Sequence, residues 1–228
     1  MIVRNWMKPQ PVTVTSDTLV SKAKRILVEK NLRALPVVDD GRLRGLLTRI
    51  NCLRASEWVT RTEDPHEFDY FAHRLKVKDL MVRNPATVDV SDTMETCLLR
   101  GQEEKVSQFP VLDEGRVVGL VSASEIFRLA AQVLGVWDHW SGITLGPIAI
   151  APGTLGTIAQ LAEEAGAVLQ SLFTVPMPGD TGAKKVILRF RDADAERVAG
   201  IFVKNGYPML EICQDAQSCR EGGGATAP

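Results

Sequence analysis

The run Leu35-Pro36-Val37-Val38-Asp39-Asp40-Gly41-Arg42-Leu43-Arg44-Gly45-Leu46-Leu47-Thr48 returns as Phe109-Pro110-Val111-Leu112-Asp113-Glu114-Gly115-Arg116-Val117-Val118-Gly119-Leu120-Val121-Ser122, so that Gly115 stands 74 positions after Gly41. The match extends upstream. Met7-Lys8-Pro9-Gln10-Pro11 is answered by Met81-Val82-Arg83-Asn84-Pro85, and Ser16-Asp17-Thr18 by Ser91-Asp92-Thr93, one residue out of step. Two copies followed by an unrelated segment make a tandem pair, unlike a solenoid, which needs about three or more stacked units.

The totals narrow the class. At 228 residues there is room for two or three compact units of the usual size, about 100 to 150 residues each. With 45% hydrophobic residues and a formal net charge of −1, the composition is that of an ordinary globular protein without the basic stripe that meets nucleic acid. No run approaches the roughly 20 apolar residues of a membrane span, and Met1-Ile2-Val3-Arg4-Asn5-Trp6 lacks a signal-peptide core, so a cytoplasmic location is expected. The cysteines show no CxxC spacing. Cys52 and Cys97 fall in helical patterns and read as buried thiols, whereas Cys213 and Cys219 are candidates to pair.

Each copy reads as strand, helix, strand, strand, helix. Val12-Thr13-Val14 is a short extended run. Asp17 is placed to cap a helix whose stripe is Leu19, Ala23, Ile26 and Leu27, and Asp92 with Glu95 has capping-box spacing. Asp40-Gly41 and Glu114-Gly115 punctuate apolar runs as hairpin turns, and helical patterns follow at Thr48 to Ser56 and Ser122 to Leu134. A unit of about 55 residues buries too little surface to stand comfortably alone, so the copies should pack together. Between them, Phe68, Phe71 and Leu75 have helical spacing, and His66 and His73 read as solvent-facing.

The pattern x-Pro-Val-Val-Asp-x-Gly-x-x-x-Gly-x-x-Thr/Ser framed by helices, twice over, resembles a tandem CBS-domain pair, or Bateman module. The resemblance implies one repeat at 1–57, a connector at 58–76, a second repeat at 77–136, and two clefts for adenine-containing ligands: AMP, ADP, ATP or S-adenosylmethionine. The first cleft would take Gln10, Val12 and Thr13, then Arg33, Ala34 and Leu35, faced by Ser122, Ser124 and Glu125. The second would take Asn84, Ala86 and Thr87, then Ser107, Gln108 and Phe109, faced by Thr48, Ile50 and Asn51. Hydroxyls at a helix start suit phosphate, a carboxylate suits ribose hydroxyls, and Arg33 adds a charge-assisted contact. The family's ribose acid is Asp; Asn51 and Glu125 stand there instead.

From Ile143 the pattern changes to strand, helix, strand, strand, helix, strand, an α/β (α+β) ferredoxin-like βαββαβ plan over 137–213 with a flexible tail over 214–228. The Pro152-Gly153-x-Leu155 turn into its first helix resembles an ACT domain, although Ile150 and Ala151 stand where an acid often does. The whole order resembles the AcuB family of regulatory proteins. No Ser/His/Asp set assembles and His139 lies on a connector, so no catalytic or metal residue is assigned. The resulting expectation is a non-enzymatic sensor that signals through a homodimer to a metabolic partner, with neither nucleic acid nor membrane. The alternatives are a docking scaffold with empty clefts or an amino-acid sensor acting through the ACT-like segment.

Overall fold

Asp40-Gly41 and Glu114-Gly115 make the turns that the repeat predicts: their φ values are 49°, 74°, 47° and 76°, the all-positive combination of a type I′ hairpin. The computed structural model describes residues 1–62, 66, 70, 73–179, 182–214 and 218–222. It divides into two compact units, Met1–Arg128 and Leu129–Pro228.

The first unit begins with β1 (Lys8–Pro9), α1 (Val20–Glu29), β2 (Ala34–Asp39), β3 (Arg42–Thr48) and α2 (Arg49–Thr62). It continues with α3 (Val77–Leu80), β4 (Val82–Arg83), β5 (Val88–Asp89), α4 (Met94–Glu103), β6 (Gln108–Asp113), β7 (Arg116–Ser122) and α5 (Ala123–Leu134), the last running past the unit's boundary. The two hairpins have the same register. Leu35 faces Leu47 and Val37 faces Gly45 in one; Phe109 faces Val121 and Val111 faces Gly119 in the other. The inward faces supply Leu35, Val37 and Leu47, which pack with Ala23 and Leu27 of α1, as the helical stripe predicts.

The short leading strands exchange. β1 pairs with β7 (Lys8↔Leu120, Pro9↔Gly119), and β4 pairs with β3 (Gly45↔Arg83, Leu46↔Val82). The exchange reaches further upstream: Val3 N donates to Asp92 O and Val77 N to Thr18 O, both at 2.8 Å. One half is therefore built from Val14, β2, β3 and β4, and the other from β5, β6, β7 and β1. The repeat boundaries at 57 and 77 mark sequence copies rather than folded halves, because each leading segment completes the other copy's sheet.

Several local expectations are corrected. Val12 to Val14 is not a strand; Val14 alone bridges Val37. Asp17 does not cap α1, whose N-cap Leu19 makes no side-chain bond; its carboxylate is instead taken by Lys76 and Lys78 Nζ, each at 2.9 Å. The Asp92–Glu95 capping box does not form either. Thr93 is the N-cap of α4 and accepts from Thr96 N, while Asp92 accepts from Asp89 N and Glu95 meets the N-terminal ammonium. A hydroxyl one residue nearer the helix won the position. The expected helix through Phe68 and Phe71 lies outside the described residues; His66 and His73 are both exposed.

The second unit follows the plan read from its sequence. β8 (Ser141–Ile148), α6 (Thr154–Glu164), β9 (Val168–Pro176), β10 (Lys184–Arg191), α7 (Ala195–Lys204) and β11 (Met209–Cys213) give βαββαβ. Its antiparallel sheet has the order β12-β11-β8-β10-β9, where β12 is Cys219–Glu221. Ile158, Ala162, Val198 and Phe202 of the helices close over Ile143, Leu145, Val186, Leu188 and Phe190. Gly153, at φ 88°, delivers the chain into α6. The tail expectation is corrected for 218–222, since β12 pairs with β11 and Cys213 is bonded to Cys219. That pairing of strand and cysteine holds a segment whose polar composition reads as loose.

Candidate functional site

In each copy one backbone bond holds the segment ahead of the hairpin proline beside the helix that follows the hairpin. Arg49 N, opening α2, donates to Arg33 O at 2.8 Å, which fixes the segment ahead of Pro36 beside the helix start; Ala123 N does the same to Ser107 O at 3.1 Å in the second copy. The crossing strand β1 then lays Lys8 opposite Leu120 of β7.

The result is a cavity of about 320 Å³ lined by Arg33, Ala34, Ser122, Ser124 and Glu125 of the expected set, together with Lys8, Asn31, Leu32, Arg49 and Leu120. Four expected residues are not on its wall. Leu35 is fully buried in the first half's core and Val12 packs against that core, because an inward position on β2 and the residue leading to Val14 serve packing. Gln10 and Thr13 are exposed elsewhere, Gln10 with φ 48° and its N bonded to Val118 O.

The opening of α5 is tightly organised. Glu125 Oε2 accepts from Ser122 N at 2.8 Å and from Ser122 Oγ at 2.6 Å, and Ser122 Oγ accepts from Ser124 N at 3.2 Å. Asn51 repeats this in the first copy: its Oδ1 accepts from Thr48 N at 3.0 Å and from Thr48 Oγ1 at 2.5 Å. The acid position thus fastens its own helix start in both copies. A carboxylate keeps a second oxygen for a ligand, whereas an amide's other atom is a donor.

The second cleft is assembled differently. Phe109 is 1% exposed and belongs to the core. Asn84 lines another cavity, of about 790 Å³, between the turns at Gly41 and Gly115. Arg100 Nη1 donates to the carbonyl of Thr87. Ala86 and Gln108 are half-buried, Ser107 is exposed, and Ile50 is 59% exposed.

Charge separates the clefts. Lys8, Arg33 and Arg49 line the first; the positions 74 residues on are Val82, Ser107 and Ala123. Lys8, Asn31 and Arg49 were missed from sequence, yet the signal existed for the two cations: they are charges that one copy carries and the other lacks. Arg49 has a further peculiarity. Its Nη2 donates to Leu27 O at 3.1 Å, while its buried Nε has no hydrogen-bond partner among the described residues. No cluster of three or more His, Cys, Asp or Glu fit for a metal occurs among the described residues, and no described helix is long and apolar enough to cross a membrane.

Comparison with known proteins falls on the same half of the chain. A family model for the CBS domain matches residues 3–57 and 77–132. A CBS domain-containing protein of Dictyostelium discoideum is 31% identical over 137 residues, 59% of this chain and 94% of that protein. The solved CBS-pair protein CBSX2 of Arabidopsis thaliana is 30% identical with a TM-score of 0.50, covering 58% of this chain and 95% of that one. A structure named as an AcuB acetoin utilization protein of Vibrio cholerae has a TM-score of 0.50 at 19% identity, covering 60% and 96%, a likeness of fold alone. Several other curated relatives are much longer enzymes, of which this chain spans between 23% and 29%.

Proposed function

The chain belongs to the CBS-domain family, and on that footing we propose that it is a non-catalytic regulatory protein whose first cleft binds one adenine nucleotide or S-adenosylmethionine. The observation that carries this reading is the asymmetry of the two clefts. One cavity gathers three cations, two serine hydroxyls at a helix start and one acid; the corresponding cations are gone from the second. Helix N-termini and arginine favour anions, and Glu125 retains an oxygen for ribose hydroxyls.

In this reading the ligand acts by favouring one arrangement of a homodimer, since a ligand held equally by two states shifts neither. A metabolic partner senses the difference, with a coupling of about 1–3 kcal/mol. The βαββαβ unit serves as an ACT-like dimerisation module. The acetoin or acetyl-group connection of AcuB proteins is the pathway to test first.

A thermal-shift titration of the full chain with AMP, ADP, ATP, S-adenosylmethionine and NAD tests the proposal. The expected result is saturable stabilisation that Arg33→Ala removes. No shift with any of them, in folded protein, sinks the sensor reading and favours a docking scaffold with empty clefts, to be followed by an amino-acid panel on the ACT-like unit.

A further inference from the structure

We infer that the Cys213–Cys219 disulfide is a reversible redox site: a dithiol reductant opens it, and β12 then leaves the edge of β11, which gives the second unit an input distinct from nucleotide binding. The four cysteines are of two kinds. Cys52 and Cys97 are free and enclosed, whereas Cys213 is bonded to Cys219 and Cys219 is exposed. A cavity of about 270 Å³, lined by Cys219 with Ile212, Ser218 and Arg220, gives a reagent room to approach.

The bond's effect is local. It joins cysteines only six positions apart, and closing so short a loop removes little entropy from the unfolded chain. What it holds is an edge. β12 is three exposed residues, the short limit of strands, and none of them belongs to the core of the second unit. It is also tied by Gly222 N donating to Leu210 O at 2.7 Å and Gln214 N to Ser218 O at 3.1 Å, and by an exposed ion pair of Arg220 with Glu196, a kind that adds little in water. Gln214 is anchored independently of β12: its O accepts from Ser141 Oγ at 2.8 Å and its Oε1 from Ala195 N at 3.2 Å. Opening the bond therefore frees the chain beyond Gln214 and leaves β11 paired with β8.

Cys213 is 5% exposed, so attack falls on Cys219. A thiolate of the dithiol bonds to Cys219 Sγ, the bond between the two cysteine sulfurs breaks, and Cys213 leaves as a thiolate that takes a proton. The reductant's second thiol gives up its proton and closes on its own mixed-disulfide sulfur, and Cys219 leaves as a thiol. Two electrons and two protons reach the cysteine pair while the dithiol becomes a disulfide. Oxidised glutathione runs the exchange in reverse. In the cytoplasmic location expected from the sequence, lasting disulfides are rare and those that form are mostly transient, catalytic or redox-sensing. Once reduced, Leu210 O and Gln214 N lose their β12 partners, and the outer edge of β11 is bare.

The experiment holds the full chain, without denaturant, in dithiothreitol buffers of graded reducing strength. Free thiols are trapped with N-ethylmaleimide and located by mass spectrometry, and amide exchange is followed in parallel. Reduction should label Cys213 and Cys219 together while Cys52 and Cys97 stay unlabelled. Gly222 should then exchange about tenfold faster or more, as a locally opened segment does, with the β8–β10 ladder still protected. Oxidised glutathione should restore both the bond and the slow exchange. The double variant Cys213→Ser, Cys219→Ser should fold and show the fast exchange in every buffer. A bond that opens only in denaturant overturns the inference, as does Gly222 exchange unchanged by reduction. So does a ladder that loses protection on reduction, or a double variant that fails to fold, since the bond is then a structural staple. Both cysteines labelled after treatment with oxidised glutathione alone would show that no such bond forms.

Discussion

Met81 lies so close across Gly45 that a β-carbon there would stand 2.6 Å from its sulfur, and Met7 stands to Gly119 in the same way at 2.2 Å. Each methionine arrives on the segment that crosses from the other copy, ahead of β4 or β1. The second glycine of each Gly-x-x-x-Gly run is therefore a seat for the exchanged strand, while the first is a turn residue.

Gly45→Ala and Gly119→Ala should each destabilise the protein by about 1–3 kcal/mol through overpacking. Met81→Ala should absorb part of the Gly45→Ala penalty in the double variant, as contacting residues are coupled. Urea denaturation of the four-protein cycle measures it; strictly additive effects would show that the methionine is not what the glycine accommodates.

Legibility in the sequence followed locality. The hairpins were readable because Asp40-Gly41 and Glu114-Gly115 declare a turn type within two residues, and the C-terminal βαββαβ order because its strands and helices carry their periods openly. The exchange of β1 and β4 was not readable, since two-residue strands have no period and their partners lie in the other copy. Site residues split along the same line. Arg33, Ala34, Ser122, Ser124 and Glu125 meet on one cavity wall, whereas Leu35 and Phe109 belong to the core, because alternate strand positions must point inward. Lys8 reaches that wall because β1 crosses to β7, whereas Arg49 stands beside Arg33 of its own copy, and the loss of both charges from the second copy is legible in the sequence.

Asp17 ties the crossing segment to the first copy. Its carboxyl is held down at about 2, from 3.8, by hydrogen bonds from Lys76 and then Lys78. A carboxyl lowered in the folded state stabilises above its unfolded pKa and loses that contribution as pH falls through the folded value. Melting temperature should therefore fall more steeply from about pH 4 to pH 2 in wild type than in Asp17→Asn, by a small margin because the group is exposed. Parallel curves would contradict the assignment.

Burial pushes the Cys97 thiol up to about 11 and raises that of Cys52; both side chains are nearly inaccessible. The thiolate is the reactive form. Native protein at pH 8 should resist iodoacetamide at both positions over the time in which denatured protein is fully labelled, as read by mass spectrometry. Rapid native labelling of either cysteine would show that it is not enclosed as described.

In the second unit, β12 is three exposed residues long and covers the edge of β11. Cys219→Ser should release it, seen as faster amide exchange of Gly222, which donates to Leu210 O, while the inner β8–β10 ladder keeps its protection. Unchanged exchange at Gly222 would mean that backbone pairing alone holds the strand.

The central claim is that one cleft of the pair binds and the other does not, and calorimetric titration of the full chain with AMP reads that stoichiometry directly. One AMP per chain, lost in Arg33→Ala and retained in Asn51→Ala, is the predicted result. Two equivalent sites per chain, or no heat at all in protein shown to be folded, would contradict it.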